Sequence, residues 1–105
     1  MTNQQPIFYE VTLQSDPSLA HALEEHMRQE HIPAILRTGC FRHIRFDVAS
    51  AGRFRTCYQA EAQADLDRYL QDHAPGFRSE FQARFPTGVT LSREIWTACE
   101  FWESR

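Results

Sequence analysis

The sequence predicts an α+β fold with element order β-α-β-β-α-β, in which a four-stranded antiparallel sheet carries both helices on one face. Three observations carry this expectation. Four stretches alternate apolar and polar residues with the period of a strand, and two stretches of helical period separate them in that order. The link between the second and third strands is only Ala49-Ser50-Ala51-Gly52, short enough to make that pair a hairpin. Helices between strands in this order give the ferredoxin-like pattern.

Residues 1–6 are polar and are expected to be loose. From Ile7 to Gln14, Ile7, Tyr9, Val11 and Leu13 fall on one face, and Phe8, Glu10, Thr12 and Gln14 on the other. Period two with β-branched and aromatic residues predicts a half-buried strand. Asp16-Pro17 is a helix start, since an aspartate can cap free N–H groups and proline loses nothing at the first helical position. The helix is expected over about Pro17 to Glu30, with Leu19, Leu23 and Met27 as a thin apolar stripe. His31-Ile32-Pro33 should break it, because a residue before proline avoids the helical region. Pro33 then opens a short turn carrying Ile35 and Leu36, which Gly39 ends.

Phe41 to Val48 reads as the second strand, with Ile44, Phe46 and Val48 on one face. Phe54 to Ala60 reads as the third, where Phe54, Thr56, Tyr58 and Ala60 alternate with Arg55, Cys57 and Gln59. Glu61 to Ala74 is the second helix, and its inner stripe is Ala62, Leu66, Tyr69, Leu70 and His73. Pro75-Gly76 should interrupt it before Phe77, Phe81 and Phe85 continue at i, i+4, i+8. After the Pro86-Thr87-Gly88 turn, the last strand is expected from Val89 to Phe101.

A length of 105 residues matches one domain. The net charge of −3, with acids and bases interspersed, offers no basic field for nucleic acid or an anionic membrane. Three cysteines, Cys40, Cys57 and Cys99, without a Cys-x-x-Cys spacing point to free thiols in a reducing cytoplasm rather than to disulfides or a zinc ribbon. No basic-apolar leader opens the chain and no apolar run nears 18 residues, so neither export nor a membrane span is expected.

Four strands of about eight residues present roughly 500 Å² of sheet on the face away from the helices, more than a monomer comfortably exposes if several aromatics lie there. Phe8, Thr12, Cys57, Trp96 and Ala98 are candidates for that face. Homodimerisation by packing sheet on sheet is the expected answer. The run Trp96-Thr97-Ala98-Cys99-Glu100-Phe101-Trp102 looks suited to reaching a second subunit.

Several of these stretches, namely Phe8-Tyr9-Glu10-Val11-Thr12, Glu30-His31-Ile32-Pro33 with Thr38-Gly39-Cys40-Phe41, Tyr58-Gln59-Ala60-Glu61, Leu66-Tyr69-Leu70 with His73-Ala74-Pro75, and Ser92-Arg93-Glu94-Ile95, together resemble a bacterial family of unknown function. That family is grouped with the dimeric α/β-barrel, or ferredoxin-like, proteins. The resemblance covers about residues 7–96 and implies the fold and a homodimer. Related dimeric α/β-barrel families include cofactor-independent monooxygenases, cyclases, isomerases, haem-binding enzymes and ligand-sensing modules, and no motif here selects one of them.

His31, at a helix end, is the first candidate for a general acid or base or a ligand contact; the plainer role is a local hydrogen bond that shapes the Pro33 turn. His73 and Tyr69 stand one helical turn apart and could move a proton, or simply pack. Tyr58 completes the catalytic candidates His31, Tyr58 and His73. The expected ligand-lining set is Tyr9, Met27, His31, Tyr58, Tyr69 and His73. Cys40 would need a base such as His31 to act as a nucleophile and reads better as a buried thiol. Arg78 and Arg84, with Phe77, Phe81 and Phe85, would suit an anionic aromatic ligand, although an aromatic stripe at this spacing is usually core. His21, His26 and His31 are five apart and scatter around a helix, so no metal site is expected. No cofactor is expected either. The sequence thus reads as a cytoplasmic homodimer that binds a small organic molecule between helices and sheet. The alternatives are a non-enzymatic dimerisation or regulatory module, and a cofactor-independent monooxygenase, cyclase or isomerase.

Overall fold

A computed structural model describes residues 5–104; residues 1–4, within the stretch expected to be loose, and residue 105 lie outside the described residues. The strands are β1 (Ile7–Ser15), β2 (His43–Ser50), β3 (Arg53–Ala60) and β4 (Val89–Thr97). They form one antiparallel sheet in the order β2-β3-β1-β4, with the first helix between β1 and β2 and the second between β3 and β4. This is the ferredoxin-like α+β arrangement the alternation predicts. Register pairs Tyr9 with Tyr58 on β3 and with Ile95 on β4, so the inner residues of neighbouring strands share one face.

That face is the core. Ile7, Tyr9 and Leu13 of β1 and Phe54, Thr56, Tyr58 and Ala60 of β3 are all buried. Two packed clusters run along it. One gathers Tyr9, Tyr58, Tyr69, Phe41, Ile35 and Leu66; the other gathers Leu13, Leu23, Met27, Phe54, Phe81 and Phe85, and Val11 touches both.

The helices correct the expected breaks. The first helix does not stop at His31-Ile32-Pro33. It passes from a 3₁₀ turn (Pro17–Leu19) through Ala20–His26, a π-turn at Met27–His31, and Ile32–Leu36. Ile32 keeps helical dihedrals of −64° and −46°, and its N–H donates to the Met27 carbonyl five residues back. The extra residue in that turn shifts the carbonyls that the Pro33 ring would otherwise strike, so proline is admitted without a break. The second helix does the same. It runs through Gln63–Arg68, a π-turn at Tyr69–His73, and Ala74–Arg84, and passes Pro75 and Gly76 without interruption. Its irregularity falls at His73, where φ is −120°, and the Ala74 N–H again reaches back five residues, to Tyr69.

The π-turns have a packing effect. Leu23, Met27, His31 and Ile35 are spaced by four, as are Tyr69, His73, Phe77, Phe81 and Phe85. Four residues overshoot a full α-turn by about 40°, so three such steps would carry a side chain off the buried face. One inserted residue returns about 100° and keeps the ladder aimed at the sheet.

The last strand is shorter than predicted. It ends at Thr97 rather than Phe101, because β1 supplies no partner beyond Ile7: the Ala98 N–H donates to the Pro6 carbonyl, and Pro6 has no N–H to return. Phe101 and Trp102 are then exposed. The face away from the helices is mixed. Phe8 pairs with Trp96 at one end, and Ala98 falls beyond the strand. Elsewhere the face is charged, with Arg45 and Arg55 bound to Asp47 on β2 and β3, and Glu10 directly opposite Glu94 on β1 and β4. Among the described residues no helix is long and apolar enough to cross a membrane.

Candidate functional site

Between the sheet and the two helices lies a pocket with about 40 Å³ of internal space. Its floor is Val11 and Leu13 of β1, and Met27 of the first helix closes one side. Tyr9 and Tyr58 stand beside each other on the floor because β1 and β3 pair them directly, with ring centroids 5.8 Å apart. Tyr69, Phe77, Arg78 and Phe81 come from the second helix, and Leu91 and Arg93 from the edge strand β4.

His31 is the last residue of the first π-turn and enters the same pocket. Phe77 and Phe81 meet its ring edge-on at 5.8 and 5.6 Å, and His26 lies 5.8 Å away. Its Nδ1 is buried with no hydrogen-bond partner. Burial, and secondarily the neighbouring His26, lower its pKa from 6.5 to about 4, so the imidazole is neutral at physiological pH. Burial also raises the pKa of Tyr58 and of Tyr69 well above the usual phenol value, which keeps both hydroxyls protonated. Arg78 Nη2 donates to the Tyr9 hydroxyl oxygen at 3.1 Å. The pocket therefore offers neutral donors and two cations set in apolar walls. At neutral pH it can hold and orient a molecule. With a pKa near 4, His31 is a weak base there.

The structure brings Tyr9, Met27, His31, Tyr58 and Tyr69 around this pocket. His73 does not line it; its ring stacks on Tyr69 with centroids 6.3 Å apart. Of the two arginines considered with the phenylalanine stripe, Arg78 lines the pocket, whereas Arg84 turns away toward Glu30, 3.9 Å distant. Cys40 is buried in the tyrosine cluster, with Sγ 4.0 Å from the Thr38 carbonyl. Arg93 and Leu91 were not singled out from sequence. The signal was there: Arg93 occupies an inner position of β4, between Leu91 and Ile95, where alternation places an apolar residue. Among the described residues no group of three or more His, Cys, Asp or Glu side chains could hold a metal ion.

The sequence model of DUF4286, a domain of unknown function, matches residues 6–98. The chain belongs to the DUF4286 family. No protein among curated sequences matches it. Among solved structures, this DUF4286 chain is similar to the ActVA-Orf6 monooxygenase of Streptomyces coelicolor in complex with nanaomycin D. The TM-score is 0.72 at 15% identity, over 99% of this chain and 96% of that one. It is also similar to SnoaB, a cofactor-independent oxygenase of Streptomyces nogalater, with a TM-score of 0.68 at 12% identity over 95% and 99% of the two chains. A third similar structure is a protein of unknown function and possible oxidoreductase from Bacteroides thetaiotaomicron, with a TM-score of 0.70 at 11% identity over 90% and 99%. At these identities the likeness establishes the fold.

Proposed function

We propose that this DUF4286 protein binds a small organic molecule in the pocket between its helices and sheet, and works as a homodimer joined through the open sheet face. The convergence of polar groups on an apolar space carries the first part: an unpartnered buried His31 Nδ1, three tyrosines and Arg78 face one pocket. A concave, mostly apolar pocket with a few convergent polar groups is the usual form of a small-molecule site. The charge layout supports the second part. Glu10 and Glu94 face each other on β1 and β4, which is unfavourable within one chain, while Arg45 and Arg55 lie on β2 and β3. A two-fold axis parallel to the strands brings β2 of one copy over β4 of the other, and β3 over β1, so acids meet bases. Binding is a better reading than proton transfer, because His31 is too weakly basic to take a proton readily at neutral pH.

The test is a screen of small neutral organic fragments, from two-carbon alcohols and amides upward, by protein NMR. Shift changes should cluster at Val11, Met27 and His31, and Val11→Phe, which fills the floor, should abolish them. If no fragment perturbs these residues, or Val11→Phe changes nothing, the ligand reading falls. Light scattering should return about twice the 12.3 kDa of one chain; a mass of one chain at micromolar concentration sinks the homodimer.

A further inference from the structure

The first helix buries a second imidazole beside His31. His26 is 3% exposed, and neither of its ring nitrogens has a hydrogen-bond partner. His31 Nδ1 is in the same state. Of the five buried side-chain polar atoms without a partner among the described residues, three belong to these two rings; the others are the Ser15 and Thr56 hydroxyls. Buried polar groups nearly always find a partner, so adjacent orphans on one turn call for a reason.

The π-turn brings the two rings together. On a regular α-helix, residues five apart point about 140° away from each other, which is why the spacing alone speaks against a metal pair. Met27–His31 is wound with one more residue in its turn, so position i+5 lies nearly above position i. The ring centres of His26 and His31 are 5.8 Å apart. Two metal–nitrogen bonds of about 2 Å in line, each continued about 1 Å to a ring centre, need roughly 6 Å. The interplanar angle of 38° is no obstacle, because bonds along the line of centres leave the ring planes free to turn.

The surroundings choose the ion. Phe81 lies against both rings, with Phe85 on His26 and Phe77 on His31. Burial holds His31 neutral at physiological pH, so its lone pair is not lost to a proton. Among the described residues no third His, Cys, Asp or Glu joins them as a metal ligand. Zn(II) and Cu(II) take about four ligands. Cu(I), a d10 cation, is satisfied by two nitrogens in line, and its single charge costs less to bury than two. Glu30 Oε2 lies 3.5 Å from His26 Nδ1, without hydrogen-bond geometry, and 3.9 Å from Arg84. A carboxylate behind the outer nitrogen is the common partner of a metal-bound histidine, and it leaves Nε2 for the ion. His31 lines the pocket, which supplies a path inward.

We infer that His26 Nε2 and His31 Nδ1 form a two-coordinate site for Cu(I), with Glu30 as the outer partner of His26. The site goes beyond the ligand reading above. His26 does not line the pocket, so the two readings can fail separately.

The test delivers Cu(I) anaerobically at pH 7.5, from its coloured bicinchoninate complex, to the Cys99→Ala protein, which lacks the exposed thiol. One Cu(I) per chain should leave the chelator, and the ring protons of His26 and His31 should shift together in NMR spectra. Zn(II) at the same concentration should leave both rings unmoved. Glu30→Ala should weaken Cu(I) binding about tenfold, as is usual for an outer partner, and His26→Gln and His31→Gln each by at least about a hundredfold. Thermal unfolding confirms that each variant is folded, and the ring shifts need no histidine variant. The site is overturned if the chelator keeps its Cu(I), if Cu(I) binds without moving both rings, if either histidine substitution leaves the affinity unchanged, or if Zn(II) binds as tightly. The pocket reading itself is judged on the neutral fragments and Val11→Phe.

Discussion

Replacing His31 with glutamine removes one titrating group from the core, and the effect should appear as a pH dependence rather than a fixed loss. In the unfolded chain this imidazole takes up a proton near 6.5; in the folded chain, buried and beside His26, it does so only near 4. Between those values the unfolded chain holds more protons, so stability falls as pH falls. The contribution is whole above about 6.5 and gone below about 4. The gap between 6.5 and about 4 corresponds to ~3 kcal/mol, of which about 2 kcal/mol is lost by pH 5. The assay is urea unfolding of wild type and His31→Gln from pH 7.5 to 4.5. With a denaturant slope of about 1–3 kcal/mol per molar, the wild-type midpoint should drop relative to the variant by roughly 1 M between pH 7.5 and 5. Subtracting the variant curve cancels the acidic groups common to both proteins. Parallel midpoint curves for the two proteins would refute the claim that His31 is held neutral by burial.

Two turn glycines should differ in the cost of an added methyl. Both have positive φ, 86° at Gly88 and 76° at Gly39, but a Cβ at Gly88 would lie 2.6 Å from Leu19 Cδ1 and 3.0 Å from Asp16 Oδ2, while Gly39 faces open space. Gly39→Ala should cost about 1 kcal/mol of backbone strain in urea unfolding, and Gly88→Ala more, since the Leu19 and Asp16 side chains must also rotate aside; a smaller loss at Gly88 than at Gly39 would contradict the packing there. The thiols offer a second check, since Cys99 is exposed while Cys40 and Cys57 are buried. Native labelling with a thiol reagent should modify one cysteine quickly and the other two only on unfolding, and fast reaction of two or three would contradict the described core.

Much of the fold is legible in residue spacing. The alternation of Ile7, Tyr9, Val11 and Leu13, and of Phe54, Thr56, Tyr58 and Ala60, is the pleat itself, and these residues do meet on one face. The helix interruptions are a different matter. Proline statistics describe a regular α-turn, and in both helices the turn before the proline is widened by one residue, which no pattern of side chains announces. The length of β4 is also invisible locally, because Ala98 to Phe101 continue the alternation and only the position of Pro6 on another strand decides where pairing stops. The pocket was legible where it is built from stripes. Tyr9, Met27, Tyr58 and Tyr69 follow from periodicity, and His31 follows from its place after the stripe. Arg93 was missed because a charge on an edge strand usually means a solvated edge. His73 has the same relation to Pro75 as His31 has to Pro33, yet the pocket lies beside one and not the other, a tertiary fact.

The two widened turns also bear on how this chain tolerates changes in length. Each helix carries one residue more than a regular spiral between the same end points would need. Removing that residue, Gln29 for instance, would leave every remaining turn free to close as ordinary α-helix, so little backbone hydrogen bonding need be lost. The rest of the helix, from Glu30 to Leu36, would keep its phase, because eleven regular steps of 100° leave Ile35 within about 20° of the direction of Leu23, as the widened turn does. In such a helix a one-residue deletion at the widened turn is healed locally and leaves the far end facing the sheet. The widened turn takes up the spare residue, so the helix accepts a change of one residue in length at that turn while the same side chains reach the sheet.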